Sequence, residues 1–274
     1  MNVFEPLLCL IIGFSVAVPS SMAGLGGGFL IVPILILIFQ LPAQNAIAIS
    51  LVAICGTTIS ATIAYARQKR IDYILGLLYD LFDIPGVIIG AYLTTFFPSN
   101  LLAGIVGVFI MSMSIILIMH NKKASKEKRG QLKVEDETWK RRKVDSSGKI
   151  FEYIVHERYL TFVSSFAGGL VTGLAGLGGG ITDTATMILL GVPPHIAVAS
   201  SEFAMALTNG TGVIAHGLLN NILFEYALPI TLGTIIGAQL GSYFNKCVRE
   251  NTLRKILAFI AFFVGLRMAL YALF

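Results

Sequence analysis

AGLGGG stands at Ala23–Gly28, between a long apolar run and a shorter one, and the same six residues return at Ala175–Gly180. Glycine in a helix interior is about 1 kcal/mol worse than alanine at each position. Two identical tracts with three consecutive glycines therefore interrupt two hydrophobic stretches at matching places. The likeness extends outward from them. AIAISL (Ala46–Leu51) answers AVASSE (Ala197–Glu202), and IIGAYL (Ile88–Leu93) answers IIGAQL (Ile235–Leu240). Three matches in one order, at nearly constant spacing, mark an internal duplication.

The stretches between the tracts identify the solvent. Of 274 residues, 55% are hydrophobic and 13% charged, where a soluble domain carries about 25% charge. Mean hydropathy is +0.81. Runs such as Leu7–Val18, Ile47–Ala64, Ile84–Phe97, Leu101–Met119 and Leu257–Phe274 approach the roughly 20 residues that cross a bilayer. They do not alternate in polarity, which excludes a barrel. The sequence predicts an all-α polytopic membrane protein. Each copy divides into five apolar segments, at 4–23, 28–40, 43–66, 73–96 and 100–119, then 159–175, 180–192, 195–217, 224–244 and 253–273. The second segment of each copy is too short to span. Residues 1–120 form the first membrane repeat, 121–158 a basic loop and 159–274 the second repeat.

Charge sets the orientation. Twelve of the 20 Lys and Arg lie between Lys122 and Arg158, and all but Arg267 of the rest flank short loops. This is the distribution of residues that hold loops in the cytoplasm and touch anionic headgroups, with the bilayer as partner, not that of a nucleic-acid binder. RQKR (Arg67–Arg70), the 121–158 loop and NKCVRENTLRK (Asn245–Lys255) all fall inside on this rule. Equivalent loops of the two copies then lie on opposite sides: the repeats are inverted and both termini are extracytoplasmic. The first apolar run carries Glu5 and no basic residue before it, so it reads as a segment of the first repeat and not as a signal peptide. Lys143–Val155 reads as a small hairpin about a Ser-Gly turn. The loop around it reads as a tether, with a regulatory or docking role as the alternative. Cys9, Cys55 and Cys247 have no metal-site or disulfide spacing, and neither a metal nor a cofactor is expected.

Inverted repeats with glycine-interrupted segments at matching positions build secondary transporters, with the site at the midplane. The glycines would end a helix inside the membrane and turn backbone N–H groups of the next helix toward a cavity, where its dipole favours an anion. The candidate substrate-binding residues are accordingly Gly24, Gly26, Gly27 and Gly28 in the first tract and Gly176, Gly178, Gly179, Gly180 and Thr182 in the second. Ser50, Ser200 and Ser201, on the helices that follow, add hydroxyls for an oxyanion. Thr57, Thr58, Thr208, Asn209 and Thr211 rank behind them. The competing reading is that the glycines only let helices pack closely. Ionisable residues in membrane segments are candidates by default: Asp80, Asp83, Asp183 and Glu202 for coupling, with Arg267 as a partner for one of them. Asp80 and Asp83 share a helical face, do not ionise independently, and one can carry a proton. His195 and His216 read as wet residues near helix ends.

At these residues the chain resembles the TauE/SafE family, the sulfite-exporter or toluene-sulfonate-uptake type of permease. AGLGGGFLIVPIL (Ala23–Leu35) is similar to the family's first signature, AIAISL to the Ala-x-x-x-Ser region after it, and AGLGGGITDTATMILLGVPPHIAVASSEFAMALTNGTGVIAH (Ala175–His216) to the second. The resemblance implies a secondary carrier in the cytoplasmic membrane for small organosulfur anions such as sulfite, sulfonates or sulfoacetate-like acids. Thr182-Asp183-Thr184-Ala185 replaces the proline usual in the second signature, and Glu202 takes a usually neutral place, so this chain adds negative charge near the site. A cation or zwitterion carried by the same fold is the alternative. A membrane enzyme or a scaffold acting through the loop is the reading from another class, and no HExxH, GxSxG or Walker pattern supports it. A homodimer is compatible with all three.

Overall fold

The computed structural model describes residues 4–22, 28–120, 140–146, 148–155, 158–244 and 250–272. Among them run ten helices and one hairpin: α1 (Phe4–Met22), α2 (Gly28–Leu37), α3 (Ala43–Arg67), α4 (Tyr73–Leu93), α5 (Ser99–His120), β1 (Lys140–Val144), β2 (Ile150–Ile154), α6 (Arg158–Ala175), α7 (Gly180–Leu189), α8 (Pro194–Leu218), α9 (Phe224–Phe244) and α10 (Glu250–Tyr271). The ten segments read from hydropathy are these ten helices. At 1.5 Å per residue, α2 and α7 rise only about 15 Å, half of a hydrocarbon core.

The outward faces of the helices are themselves apolar. Leu77, Leu81, Ile88 and Ile89 on α4, Leu228, Leu232 and Ile236 on α9, and Phe259 and Phe263 on α10 are all exposed. Such a continuous apolar coat suits lipid and not water. Polar residues have gone the other way, into the interior: Ser50, Thr58, Asp80, Asp83, Ser165, Asp183, Thr208 and Asn209 are buried.

Helices pair across the two halves. α1 lies along α9 and α6 along α4, while α3 packs on α8 and α5 on α10. The closeness of the α4–α6 seam comes from missing side chains: a Cβ at Gly169 would collide with the Asp83 carbonyl oxygen, and one at Gly173 with that of Val87. This is the small-residue packing of membrane helices. α3 and α8 run antiparallel. Asn45 at the start of α3 donates to the Asn221 carbonyl beyond the end of α8 (2.8 Å), and Thr62 near the end of α3 donates to the Glu202 carbonyl near the start of α8 (3.1 Å). Positive φ falls at corresponding turns, Gln40 with Gly191 before α3 and α8, Lys69 with Asn220 after them.

The hairpin covers the end of the bundle where α4 and α8 begin. Its register, Arg141 opposite Tyr153 and Lys143 opposite Phe151, puts these four side chains on one face. Phe151, Tyr153 and Val155 are buried in a cluster with Leu75, Tyr79, Met187, Leu190, Val192, Ile196, Ala197 and Ala204. Asp72 is the polar counterpart. It caps α4 by accepting from the Leu75 N–H (3.3 Å), and it also accepts from Arg141 (3.0 Å) and from the Tyr153 hydroxyl (2.6 Å). Burial, and then the bond to Asp72, hold the Tyr153 phenol above the ordinary tyrosine range, with Arg141 opposing. At the turn, Arg70 pairs with Asp145 (3.3 Å) and the Ser146 N–H donates to the Gln68 carbonyl (3.0 Å). The segment read as a tether therefore carries a docked element.

Candidate functional site

The second glycine tract breaks the chain between α6 and α7. Gly176 and Gly178 both have φ +67, a left-handed conformation that favours glycine. The hydroxyl of Thr172 accepts from the Gly179 N–H (2.7 Å), and Ser50, from the other half, donates to the Gly176 carbonyl (2.9 Å). α7 then starts at Gly180. The Gly180 N–H donates to the Gly178 carbonyl and the Asp183 N–H to the Gly179 carbonyl (3.1 Å), and by helix geometry the N–H groups between them lack carbonyl partners within the helix. Thr182 donates to the Gly179 carbonyl. Beside the break stands Asn209 of α8, fully buried, with neither amide atom hydrogen-bonded. Its Nδ2 faces Gly178, lying 3.7 Å from where a Cβ on that residue would be.

Three carboxyl groups meet next to the break. A Cβ on Gly168 of α6 would lie 3.3 Å from Asp183 Oδ1 and 3.7 Å from Asp83 Oδ1, so the bare glycine is what lets α7 and α4 present their acids together. Thr208 of α8 donates to Asp80 at 2.8 Å and also reaches Asp83 at 3.4 Å. Ser165 of α6 reaches Asp83 at 3.1 Å and also contacts the Tyr79 carbonyl. Neither oxygen of Asp183 has a hydrogen bond of ordinary geometry, with Thr182 and Asp83 as its polar neighbours. Among the described residues no Lys, Arg or His forms an ion pair with Asp80, Asp83 or Asp183, and no group of His, Cys, Asp and Glu is arranged to hold a metal ion.

The other candidates are spread more widely. Gly24, Gly26 and Gly27 lie outside the described residues, and Gly28 is the first residue of α2. Ser200 accepts from the Asp72 N–H (2.9 Å) at the hairpin end, and Ser201 bonds Thr184 (2.6 Å) between α8 and α7. Glu202 is half-buried on α8, six residues before Thr208 and so about 9 Å along the axis. Arg267 is exposed on α10, whose main neighbour is α5, so it does not serve as the counter-charge expected of it. His216 is not the wet residue expected: it is buried, its Nε2 3.0 Å from the Gly173 carbonyl and its Nδ1 3.2 Å from Asn221 Nδ2. Ser165, which the sequence reading passed over, and Thr208 and Asn209, which it ranked low, are the hydroxyls and amide at the centre. A helical count would have raised two of them, because Thr208 lies seven residues after Ser201 and Asn209 seven after Glu202, each pair on one face.

A lipid-coated helical bundle with polar groups converging beside a broken helix defines the transporter class of membrane proteins. The comparisons agree. A model of the family described as Sulfite exporter TauE/SafE matches residues 9–268. The Probable membrane transporter protein YunE of Bacillus subtilis is 30% identical over 98% of both chains. Sulfite exporter TauE/SafE family protein 6 of Arabidopsis thaliana is 23% identical, over 94% of this chain and 77% of its own. No solved structure matches. The chain belongs to the TauE/SafE family.

Proposed function

We propose that this protein is a secondary-active, proton-coupled carrier that moves small organosulfur anions, such as sulfite, sulfonates or sulfoacetate-like acids, across the cytoplasmic membrane by alternating access. The observation that carries the reading is the broken helix at Gly176–Gly179, facing a buried Asn209 amide with no partner and lying beside the acids. An unsatisfied buried polar group costs about 1–3 kcal/mol. Both amide atoms of Asn209 stand ready for a ligand that also meets the α7 N-terminus. The family supports the substrate class.

Proton coupling is supported by a count of hydrogens. Ser165 and Thr208 each have one hydroxyl hydrogen and two acceptors within reach. A proton on Asp83 supplies what is missing: it bonds one hydroxyl, which can then serve its other acceptor. An anion at the α7 N-terminus also repels an ionised Asp183. At roughly 5 Å and an effective dielectric constant of 20 that repulsion is about 3 kcal/mol. Neutralising Asp183 removes it, so anion and proton bind together. Glu202, off the centre on the hairpin side, is a second proton station.

The antiparallel α3 and α8, the reciprocal α1–α9 and α6–α4 pairs and the matched positive-φ turns support inverted repeats over 1–120 and 159–274. The charge pattern supports a cytoplasmic hairpin with both termini outside. The test is uptake of labelled sulfite, sulfonates and sulfoacetate into proteoliposomes under an imposed pH gradient, with Asp80→Asn, Asp83→Asn, Asp183→Asn and Glu202→Gln. Undiminished pH-driven flux in all four variants would end the proton role. The three buried acids with no cationic partner also favour a second reading, in which the cargo is a cation or zwitterion. Thermal shifts with monovalent cations and zwitterionic sulfonates, against simple sulfonates, separate the two.

A further inference from the structure

Asp80, Asp83, Asp183, Thr208 and Asn209 are all buried, so the site is closed to water on both sides. On the hairpin side the closure has two layers. The inner one is Tyr79 and Leu75 of α4 with Met187 of α7 and Ala204 of α8. The outer one is the hairpin's own Phe151 and Tyr153. The inner layer belongs to long helices that also hold the acids and Asn209. The outer layer belongs to a two-stranded hairpin, an element too small to be stable alone in water. It is held down by the Asp72 and Arg70–Asp145 contacts, the Ser146–Gln68 bond and a few apolar side chains.

We propose that the β1–β2 hairpin is a detachable plug, closing the route between the buried site and the aqueous face it covers and lifting away for cargo to pass. The inference rests on the transport reading above and adds a gate to it. Asp72 is the latch, and its position ties the plug to the site. Its side chain receives Arg141 and Tyr153 from the hairpin while capping α4, which carries Asp80 and Asp83. Its own N–H donates to Ser200 of α8, the helix that carries Thr208 and Asn209. The hairpin is therefore fastened at the point where the near ends of two site helices, one from each half, are joined to each other.

The test reads access directly. Ala204→Cys is introduced into the full chain with Cys9, Cys55 and Cys247 replaced by alanine. It is labelled with a membrane-impermeant maleimide from the hairpin side of membrane vesicles. Adding Tyr153→Phe with Arg141→Ala raises the labelling rate about tenfold or more, the factor expected for losing hydrogen bonds to a charged group. An unchanged rate overturns the plug. A second arm locks it instead. Lys143 Nζ lies 5.7 Å from the Tyr73 ring centroid, so Lys143→Cys and Tyr73→Cys are joined by a short reducible bis-thiosulfonate. Locked protein carries labelled sulfite into liposomes at under about a tenth of the unlocked rate, and reductant restores it. Full flux while locked also overturns the plug. Should unlocked protein carry no sulfite, the substrate reading falls, while the labelling rates still decide the plug.

Discussion

Replacing Asn209 with leucine separates a residue kept for cargo from one kept for stability. In a satisfied interior a buried asparagine is a structural asset, and removing it weakens the protein. Here both amide atoms are buried without a hydrogen bond. Leucine has nearly the same size and no polar atoms, so Asn209→Leu removes desolvation penalties of about 1–3 kcal/mol per group and leaves no donor or acceptor stranded. Taking about 2 kcal/mol as the net gain, and about 2–4 °C per kcal/mol for a chain of this length, the ligand-free variant melts roughly 4–8 °C higher. It also fails to carry sulfite, because the amide beside Gly178 is gone. The assay is thermal unfolding in detergent alongside sulfite counterflow in liposomes from the same preparation. A trade of activity for stability is the known behaviour of functional polar groups. A leucine variant that melts lower than its parent, or carries sulfite at the parental rate, refutes the assignment.

Other outcomes follow from the same geometry. Asp183→Asn imitates a neutral carboxyl, so anion binding measured by thermal shift persists and loses its dependence on pH, while uphill uptake driven by a pH gradient stops. Gly169→Val forces a side chain into the Asp83 carbonyl. Overpacking of this kind costs about 1–3 kcal/mol or more, and it lowers both the melting temperature and the recovery of folded protein. Gly148→Ala meets no atom within 4 Å and bears only the strain of φ +81, about 1–2 kcal/mol, so its effect is confined to a weaker hairpin turn, read as faster maleimide labelling of Ala204→Cys. Tyr153, whose phenol is held above the ordinary range, favours the docked hairpin in its protonated form. Its contribution is complete below the free tyrosine value near pH 10 and disappears only as pH rises through the higher folded value. A titration difference between the parent and Tyr153→Phe shows one tyrosine ionising later than the others.

The sequence disclosed the fold because the solvent writes a strong and local signal: an apolar segment long enough to meet lipid is visible wherever it lies. The break between α6 and α7 was equally legible, since Gly176 and Gly178 take conformations that few other residues adopt; the first tract, at Gly24–Gly27, lies outside the described residues. The candidate site was legible only in its charges. Asp80, Asp83 and Asp183 stand out in apolar sequence because an acid there is rare, and the structure brings all three together. Glu202 stood out for the same reason yet lies apart, because a charge in a membrane segment reports its cost and not its neighbours. Ser165 and Asn209 gave no comparable signal, since serine and asparagine are common wherever helices touch. What promotes them is three-dimensional. Gly168 leaves room for two carboxyls to approach and Gly178 leaves an amide facing open backbone, so the residues that shape the site are the ones with no side chain to notice. The hairpin shows the same limit from the other direction. Its turn was readable, but its docking depends on Asp72, which in sequence is one more helix cap. Only the fold turns that cap into the meeting point of Arg141, Tyr153 and, through its N–H, Ser200. A basic loop in a membrane protein is thus read first as a mark of sidedness, and the same charges can also hold a door.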